Sequence, residues 1–390
     1  MPCPATPAPI ADNPSHKFPS NNGKPTKIML SSNSAWNLAN FRKPVIEALI
    51  AAGYEVVAVA PADGEEGRLE AMGARFRPIR MHGAGTSPLE DSRLLLDYIK
   101  LLRDERPAMF LGFTAKPNIY GSLAARLTNV PVAATISGLG SAFLKGGLLG
   151  GLLLRLYRLA LGGAQAIFFQ NAADRDLFIA RRIARPAQAR LVAGSGIDLG
   201  RFAPAPIEHD GEFRFLLIAR LLLDKGTAEY VEAARIVRAN YPQARFILLG
   251  GAADNNPSAV PQAELARWAA ESIVEQLGMR DDVRPHIAAA DCVVLPSYRE
   301  GLPRSLLEGA AMARPLIASD VPGCREVVDH GVNGLLCDVR SATSLAAAME
   351  RMLAMSPAER SAMGAAGRRK VEAEFDQRLV ADAYLAEVMR

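Results

Sequence analysis

The chain has 390 residues, 49% of them hydrophobic and 22% charged, with a formal net charge of +4. This size and composition indicate a globular protein of about two domains with sizeable cores. The mildly basic balance points to an anionic partner but not to nucleic acid. Four scattered cysteines without C-x-x-C spacing argue against a disulfide framework or a zinc site and fit a reducing cytosol.

Two stretches bear on targeting. Residues 1–25 are rich in Pro, Asn and Ser and lack the apolar core of a signal peptide, so we expect a disordered leader. Residues 148–163 come nearest to a membrane span, but Arg155 and Arg158 interrupt them, and a span needs roughly 18 apolar residues. The sequence therefore predicts a cytoplasmic protein without a transmembrane helix.

Short apolar runs alternate with longer periodic stretches from residue 27 to about residue 180. Such runs are typical of strands covered on both faces, and the alternation predicts a parallel, doubly wound sheet. We predict strands at 27–31, 54–60, 108–112, 131–136 and 165–169, with helices at 38–52, 88–104, 117–128 and 172–183.

A segment rich in Gly, Pro and charge, residues 194–213, then interrupts the pattern and is the predicted hinge. The fold class is therefore α/β, with two Rossmann-like domains (26–200 and 201–375) facing a central ligand cleft. A last helix within 376–390 is predicted to cross back to the first domain. The second domain is predicted to hold strands at 213–220, 244–250, 291–296 and 315–319, with helices at 226–239, 262–277, 303–312, 341–353 and 357–375.

Two cations follow the first strand of the second domain. Arg220 ends the apolar run, and Lys225-Gly226 opens the next helix. Cations beside a helix N-terminus suit a diphosphate, although the same residues could be solvated loop charges.

Two carboxylates follow the third strand of this domain, within EGLPRSLLE. Glu300 precedes Gly301, where a bare backbone allows close approach to a ligand, and Pro303 suits the first turn of a helix. Glu308 lies eight residues after Glu300, so both could face one cleft. The pair could cleave a bond by general acid/base chemistry or hold a ligand, and Glu308 could also be an ordinary exposed helix acid.

In the first domain, small polar residues follow the first strand at the position of a phosphate loop. Neither G-x-G-x-x-G nor a Walker loop is present, which disfavours an ordinary dehydrogenase or ATPase. Asp174 and Asp176 are expected to begin a helix, and the five histidines lack metal-ligand spacing. Trp36 could stack on a sugar or pack, and packing is the expected use. No metal site is predicted.

Taken together, R-x-x-x-x-K-G, E-G-L-P-R-S-L-L-E and V-P-G-C-R-E-V-V resemble the retaining GT-B glycosyltransferases of group 1, or family four. Further segments, such as FFQNAADRDLF and GSGIDLGRF, resemble those of the subgroup that builds polysaccharide repeat units on undecaprenyl diphosphate. This subgroup includes enzymes that add an α-linked N-acetylhexosamine. The resemblance spans most of residues 26–385.

The resemblance implies a role for each matching residue. Arg220 and Lys225 would grip the donor diphosphate, Glu300 with Gly301 and Leu302 would orient the sugar, and Glu308 would bind the ribose. The donor would be a UDP-sugar, with no cofactor and no metal. Ser32, Asn33 and Ser305 would complete the donor site, and the acceptor side would include Lys116, Asn118, Ser137 and Gly138.

Two departures from the family pattern are visible. Many members carry a histidine near the end of the fifth strand, whereas this chain reads TISGLG, so a histidine-assisted step is not expected. Relatives usually have an additional strand of the form V-x-F-x-G, for which EQLGMRDDVRP leaves no room. We therefore expect the second sheet to lack this strand and the base-binding loop that follows it.

The acceptor is expected to be linked to a lipid. Residues 143–163 are apolar with interspersed Lys145, Arg155 and Arg158, which suits docking at the inner face of the cytoplasmic membrane. A buried helix with snorkelling arginines fits equally well. Alternative functions are transfer to a soluble acceptor, a UDP-sugar 2-epimerase, whose histidine signatures are absent, and a sugar-nucleotide-binding protein with impaired catalysis.

Overall fold

The computed structural model describes residues 20–21, 24–82, 87–138, 147–206, 211–252 and 256–390. The predicted leader lies mostly outside the described residues. Its described part, Ser20–Asn21 with Lys24–Pro25, forms a short antiparallel pair. Two parallel sheets with flanking helices follow, as the alternating pattern predicts.

The first sheet has seven strands in the described residues, all parallel, in the order β3-β2-β1-β4-β5-β6-β7. Its central strands are buried throughout because helices cover both faces. The strands are β1 (Lys27–Ser31), β2 (Glu55–Ala60), β3 (Arg75–Pro78), β4 (Met109–Gly112), β5 (Val132–Ile136), β6 (Ala166–Phe169) and β7 (Ala189–Leu191).

The four predicted helices of this domain are present, one of them broken in two, and a short helix at Glu66–Ala71 was not predicted. The predicted helix 38–52 is two helices, because Arg42 caps both and Pro44 occupies the first turn of the second. The helices are α1 (Ala35–Phe41), α2 (Lys43–Ala51), α3 (Glu66–Ala71), α4 (Pro88–Glu105), α5 (Ser122–Leu127, after a π-turn at Pro117–Gly121), α6 (Gly147–Leu161) and α7 (Ala172–Ala180).

The second sheet has six strands in the part of the chain that the structure describes, again all parallel, in the order β10-β9-β8-β11-β12-β13. They are β8 (Phe213–Ile218), β9 (Ala244–Leu249), β10 (Glu275–Gly278), β11 (Cys292–Leu295), β12 (Leu316–Ser319) and β13 (Gly334–Cys337). The helices are α8 (Thr227–Asn240), α9 (Gln262–Glu271), α10 (Arg284–Ala289), α11 (Arg304–Ala311), α12 (Cys324–Val327), α13 (Ala342–Ala354), α14 (Pro357–Glu374) and α15 (Gln377–Val388).

The expectation that the second sheet lacks a strand before residue 283 is wrong. The predicted helix 262–277 ends at Glu271, and Glu275–Gly278 pairs in parallel with β9 at the edge of the sheet. Four residues suffice for an edge strand, so the short segment accommodates both the strand and the Met279–Arg280 loop after it.

The last helix, α15, packs on the first domain although it follows the second in sequence. Tyr384 lies against the rings of Phe113 and Phe168, and its hydroxyl is 2.6 Å from Thr135 Oγ1. Gln165 donates a hydrogen bond to Glu387. The chain thus returns to the first domain and ties it to the end of the second.

Each sheet reverses its strand order at one point, between β1 and β4 in the first and between β8 and β11 in the second. In open parallel sheets ligands bind beyond the carboxyl ends of the strands at such points.

Among the described residues, no helix is both long enough and apolar enough to cross a membrane.

Candidate active site

A cleft of about 750 Å³ lies between the two domains at these reversal points. Seven of the predicted site residues line it: Asn33, Ser137, Arg220, Glu300, Leu302, Ser305 and Glu308. Lys225 is not among the residues that line the cleft, but it forms an ion pair with Glu300, which does. The structure therefore brings residues from distant parts of the chain to one cavity.

The ion pair between Lys225 and Glu300 joins Nζ to Oε1 at 2.5 Å, with Glu300 in the wall of the cleft. Lys225 ends a short turn, and Gly226 follows with φ of 71°. A Cβ on Gly226 would lie 2.0 Å from the carbonyl oxygen of Pro296, so only glycine lets this turn lie against the end of β11. This close packing fixes the lysine beside the Glu300 loop.

Arg220 is exposed at the end of β8 and lines the cleft. It makes no ion pair with any described residue, so its charge is available to a ligand. The first turn of α11 also lines the cleft through Arg304 and Ser305, and no side chain caps it. Free backbone N–H groups of a helix N-terminus favour anions.

The first domain holds the Glu300 loop from the opposite side. Asn171 donates a hydrogen bond of 2.8 Å to the carbonyl of Gly301, and Asp174 forms an ion pair with Arg299. A Cβ on Gly301 would lie 2.3 Å from the carbonyl oxygen of Ser137. Glycine at this position therefore permits close approach of the two domains. Gly301 was expected to help orient the sugar, but it is not among the residues that line the cleft.

Glu308 is buried, so the alternative of an exposed helix acid is wrong. Its Oε1 accepts a hydrogen bond of 2.8 Å from Arg304 Nε, one helical turn earlier. Burial raises the pKa of the Glu308 carboxyl, and the nearby Arg304 charge counteracts part of that rise. An acceptor held in this way at the cleft wall suits the hydroxyl groups of a ligand.

Arg304 is a site residue that the sequence interpretation missed. Its guanidinium lies 5.1 Å from the centre of the Phe41 ring and within 3.4 Å of the Asn40 carbonyl and Ser195 Oγ. Its i, i+4 spacing to Glu308 was the available signal. Arg304 therefore links the Glu308 carboxylate to the first domain.

The polar loop after β1 is only partly at the cleft surface. Ser32 is fully buried and its hydroxyl donates to Asn37 Oδ1 at 2.9 Å. Asn33 is exposed in the cleft, with its backbone N–H bonded to Thr114 Oγ1 at 3.0 Å, and Ser34 caps α1. Within this loop Asn33 and Ser34 face the cleft and Ser32 supports them.

Three of the four predicted acceptor-side residues, Lys116, Asn118 and Gly138, are not among the residues that line the cleft. Lys116 forms an ion pair of 2.8 Å with Asp91. Asn118 is buried and donates to the carbonyl of Thr135 at 2.8 Å. Gly138 lies at the domain contact, where an added Cβ would be 3.7 Å from the Gly301 nitrogen. Of the predicted acceptor-side residues, Ser137 lines the cavity.

Trp36, which was expected to pack, is 49% exposed and lines the cleft. Its ring meets Phe41 edge to face, with centroids 5.2 Å apart.

Asp174 lies in the first turn of α7 as expected, and Asn171 caps that helix. Within the described ranges, no three His, Cys, Asp or Glu residues are grouped as metal ligands.

The two halves of the chain each match a family of known proteins. Residues 42–194 match the glycosyl transferase 4-like domain, and residues 212–355 match the glycosyl transferases group 1. These matches correspond to the two Rossmann-like domains on either side of the cleft.

Curated relatives extend the match along the chain. The sequence is similar to the N,N'-diacetylbacillosaminyl-diphospho-undecaprenol alpha-1,3-N-acetylgalactosaminyltransferase of Campylobacter jejuni, with 27% identity over 92% of this chain and 97% of that protein. It is 26% identical to the UDP-Gal:alpha-D-GlcNAc-diphosphoundecaprenol alpha-1,3-galactosyltransferase of Escherichia coli, over 68% of this chain and 71% of that protein.

Solved structures show the same architecture. Anabaena HepE in complex with UDP superposes with a TM-score of 0.75 at 18% identity, covering 93% of this chain and 99% of that one. Sucrose-phosphate synthase from Thermosynechococcus elongatus gives a TM-score of 0.76 at 20% identity, covering 93% and 98%. Together the fold, both domain matches and the curated relatives show that the chain belongs to the group 1 glycosyltransferases and has the GT-B fold.

Proposed function

We propose that this glycosyltransferase moves a hexose or N-acetylhexosamine from a UDP-sugar to a saccharide on polyprenyl diphosphate, with retention of configuration. The observation that carries the proposal is the convergence of Arg220, the Lys225–Glu300 pair and the Arg304–Glu308 pair on one cleft. The names of the Campylobacter and Escherichia relatives supply the lipid-linked acceptor, and the Escherichia name supplies UDP.

The second domain would bind the donor. Arg220 and the uncapped N-terminus of α11 offer positive charge to the diphosphate. Glu308 accepts hydrogen bonds from the ribose hydroxyls. The Met279–Arg280 loop, which follows the edge strand β10, lines the cleft and would contact the base of the nucleotide.

The transfer breaks the bond between the anomeric carbon and the diphosphate oxygen and forms a bond from that carbon to the acceptor hydroxyl on the same face. The hydroxyl proton passes to the departing phosphate oxygen, and UDP leaves. Arg220 and Lys225 stabilise the charge that develops on the diphosphate, so no metal is required. Glu300, held by Lys225 at 2.5 Å, positions the sugar hydroxyls and does not attack the anomeric carbon.

Helix α6 would dock the enzyme on the membrane. Leu152 and Leu159 are 53% and 55% exposed, and Arg155 lies exposed between them. Arg158 has a structural role, because it donates to the backbone carbonyls of Arg181 and Arg182. An exposed face of leucine and arginine suits an anionic bilayer surface, which in the cell is the inner face of the cytoplasmic membrane.

The activity is tested by incubating the full chain with radiolabelled UDP-sugars and a polyprenyl-diphosphate monosaccharide, with and without EDTA. We expect label in the lipid product, an α-linkage by NMR, and the same rate with the chelator. Transfer to a free saccharide alone would identify a soluble acceptor, and inversion at the anomeric carbon would contradict the mechanism.

Membrane docking is tested by flotation with vesicles containing anionic phospholipid. The Leu152→Ser/Arg155→Glu variant should remain in the soluble fraction while the wild type floats. The matched control, Val339→Ser/Arg351→Glu, changes exposed residues of the second domain and should float normally. Equal flotation of all three proteins would refute docking through α6.

A further inference from the structure

Arg42 is a buried cation in the wall of the cleft, contributed by the first domain. It lies between α1 and α2 with 3% of its surface exposed, and it is one of the residues that line the cavity. Its guanidinium carbon lies 4.5 Å from the centre of the Phe113 ring. The break between α1 and α2 thus directs a charge into a partly aromatic wall.

This charge has no anionic partner among the described residues. Its Nε and Nη1 are shielded from solvent without a hydrogen-bond acceptor. Burial lowers the pKa of Arg42; the interaction with Tyr384 opposes part of this shift, and the nearby Arg304 charge adds to it. Removing a guanidinium from water without pairing it costs free energy. The buried Arg42 charge therefore destabilises the free protein, and a bound anion would offset that cost.

A second buried arginine shows what a structural role looks like in the same protein. Arg314 is 1% exposed and donates to four backbone carbonyls, those of Ala205, Pro206, Ile287 and Ala288, at 2.7 to 3.2 Å. Such a residue is satisfied without a ligand. Arg42 differs from it in two respects, since it lacks acceptors and lines a cavity.

We propose that Arg42 binds a diphosphate group in the cleft, completing from the first domain the cationic surface that Arg220 and Lys225 provide from the second. The inference rests on the proposed function in that a UDP-sugar and a polyprenyl diphosphate are the diphosphates brought to this cleft. A guanidinium matches phosphate oxygens in charge and geometry. The bound anion would also offset the repulsion between Arg42 and Arg304.

The proposal is tested by calorimetric titration of the full chain with inorganic diphosphate, with UDP, and with a short-chain prenyl diphosphate. The matching prenyl alcohol serves as the uncharged control. Loss of a charge-assisted hydrogen bond should weaken binding about 10- to 100-fold, so Arg42→Met should lose this much affinity for at least one diphosphate. A loss confined to UDP assigns Arg42 to the donor, and a loss confined to the prenyl diphosphate assigns it to the acceptor.

Thermal unfolding separates binding from folding. Arg42→Met removes an unpaired buried charge, so its Tm without ligand should equal or exceed that of the wild type. Arg314→Met leaves four carbonyls without a donor and should lower Tm. Arg42→Lys retains the charge, so its affinity for the diphosphates should lie between those of the wild type and Arg42→Met. If Arg42→Met does not fold, the affinity of Arg42→Lys is compared with that of the wild type instead.

The proposal is overturned if Arg42→Met, or Arg42→Lys where the former does not fold, binds all three diphosphates within about twofold of the wild type. Its failure is distinct from that of the proposed function. A wild type that transfers sugar while Arg42 variants bind normally refutes only the role of Arg42. Arg42-dependent binding of inorganic diphosphate without sugar transfer refutes only the proposed reaction.

Discussion

The two faces of the cleft differ in how completely their charges are paired before a ligand arrives. On the second domain, Lys225 is paired with Glu300 and Arg304 with Glu308, and Arg220, which has no ion-pair partner among the described residues, is exposed to solvent. On the first domain, Arg42 is buried without an acceptor among the described residues and Trp36 is half exposed. The second face is organised in advance, whereas the first presents groups that a ligand must satisfy.

This difference has an energetic consequence. Paired ions hold each other in position and need little reorganisation when a donor binds, which is the basis of electrostatic catalysis. A buried charge without a partner lowers the stability of the free protein, and a bound anion that pairs with it offsets that cost. We therefore expect substitutions on the second face to reduce turnover and substitutions on the first face to reduce affinity.

The largest effect is expected for Lys225→Ala. This change removes the cation that we propose stabilises the leaving diphosphate, and it leaves Glu300 without its partner, so kcat should fall about 100- to 1,000-fold. Lys370→Ala is the matched control, because Lys370 is also paired, with Asp329 at 2.7 Å, but Asp329 does not line the cleft, whereas Glu300, the partner of Lys225, does. Initial rates at saturating donor give kcat for the wild type and both variants. Near-normal turnover of Lys225→Ala would refute the role proposed for Lys225.

A smaller loss is expected when the contact between the two faces is broken. Asp174→Ala leaves Arg299 without the carboxylate that holds it, which should lower the free energy of unfolding by about 2 kcal/mol. The Glu300 loop would then be less well positioned, and kcat should fall about tenfold. Asp176→Ala is the control, since Asp176 pairs with Arg175 at an exposed position.

The two effects of Asp174→Ala can be separated with a second substitution. Asp174→Leu/Arg299→Met removes both charges, so stability should recover while turnover stays low. Recovery of both quantities would mean that the ion pair stabilises the domain contact without positioning Glu300. Denaturant unfolding and steady-state kinetics on the same preparations provide the comparison.

Glu308 allows a test by pH. Burial raises the pKa of its carboxyl above the ordinary value of 4.5, so the folded protein binds this proton more tightly than the unfolded chain. The contribution of Glu308 to stability is therefore greatest at acidic pH and falls as pH rises from about 4.5 through the folded pKa. Glu308→Gln should remove this decline and also weaken UDP binding about tenfold.

The control for this experiment has the same helical geometry at an exposed position. Arg368 and Glu372 also form an i, i+4 pair, at 2.6 Å, with Glu372 48% exposed. Glu372→Gln should change neither UDP affinity nor the pH dependence of unfolding. If the wild type and Glu308→Gln show parallel stability curves from acidic to neutral pH, the effect assigned to burial is absent.

The comparison of the two faces also shows which features the sequence could reveal. The central strands were predictable because burial on both faces requires continuous apolar runs, as in Val132–Ile136 and Cys292–Leu295. The edge strand Glu275–Gly278 was missed because it is partly exposed and has neither an apolar run nor alternation. Its residues therefore resembled the end of the preceding helix.

The candidate site was predictable where chemistry is concentrated in a local motif. Lys225, Glu300 and Glu308 belong to short segments with a recognisable spacing. The contacts of Gly301 with Ser137 and Asn171 depend on the approach of two domains, which no local pattern encodes. Arg42 was missed for a similar reason, because its lack of an acceptor is a property of its tertiary surroundings.

The smallest effect is expected for Trp36, at the entrance of the first face. A half-exposed indole beside a sugar-binding cleft can stack on a pyranose ring, and stacking on an aromatic ring contributes about 1 kcal/mol. Trp36→Ala should therefore raise KM for the saccharide acceptor about fivefold, with kcat and Tm unchanged. Trp268→Ala is the contrasting variant, since Trp268 is 2% exposed in the core and its loss should lower Tm.

Fluorescence provides an independent measurement, because Trp36 and Trp268 are the two tryptophans of the chain. In a Trp268→Phe background, emission comes from Trp36, and added acceptor should shift or quench it. An unchanged spectrum at saturating acceptor, together with a normal KM for Trp36→Ala, would show that Trp36 does not contact the sugar. The first face would then bind its ligand through Arg42 and through polar residues that line the cleft, such as Asn33 and Ser137.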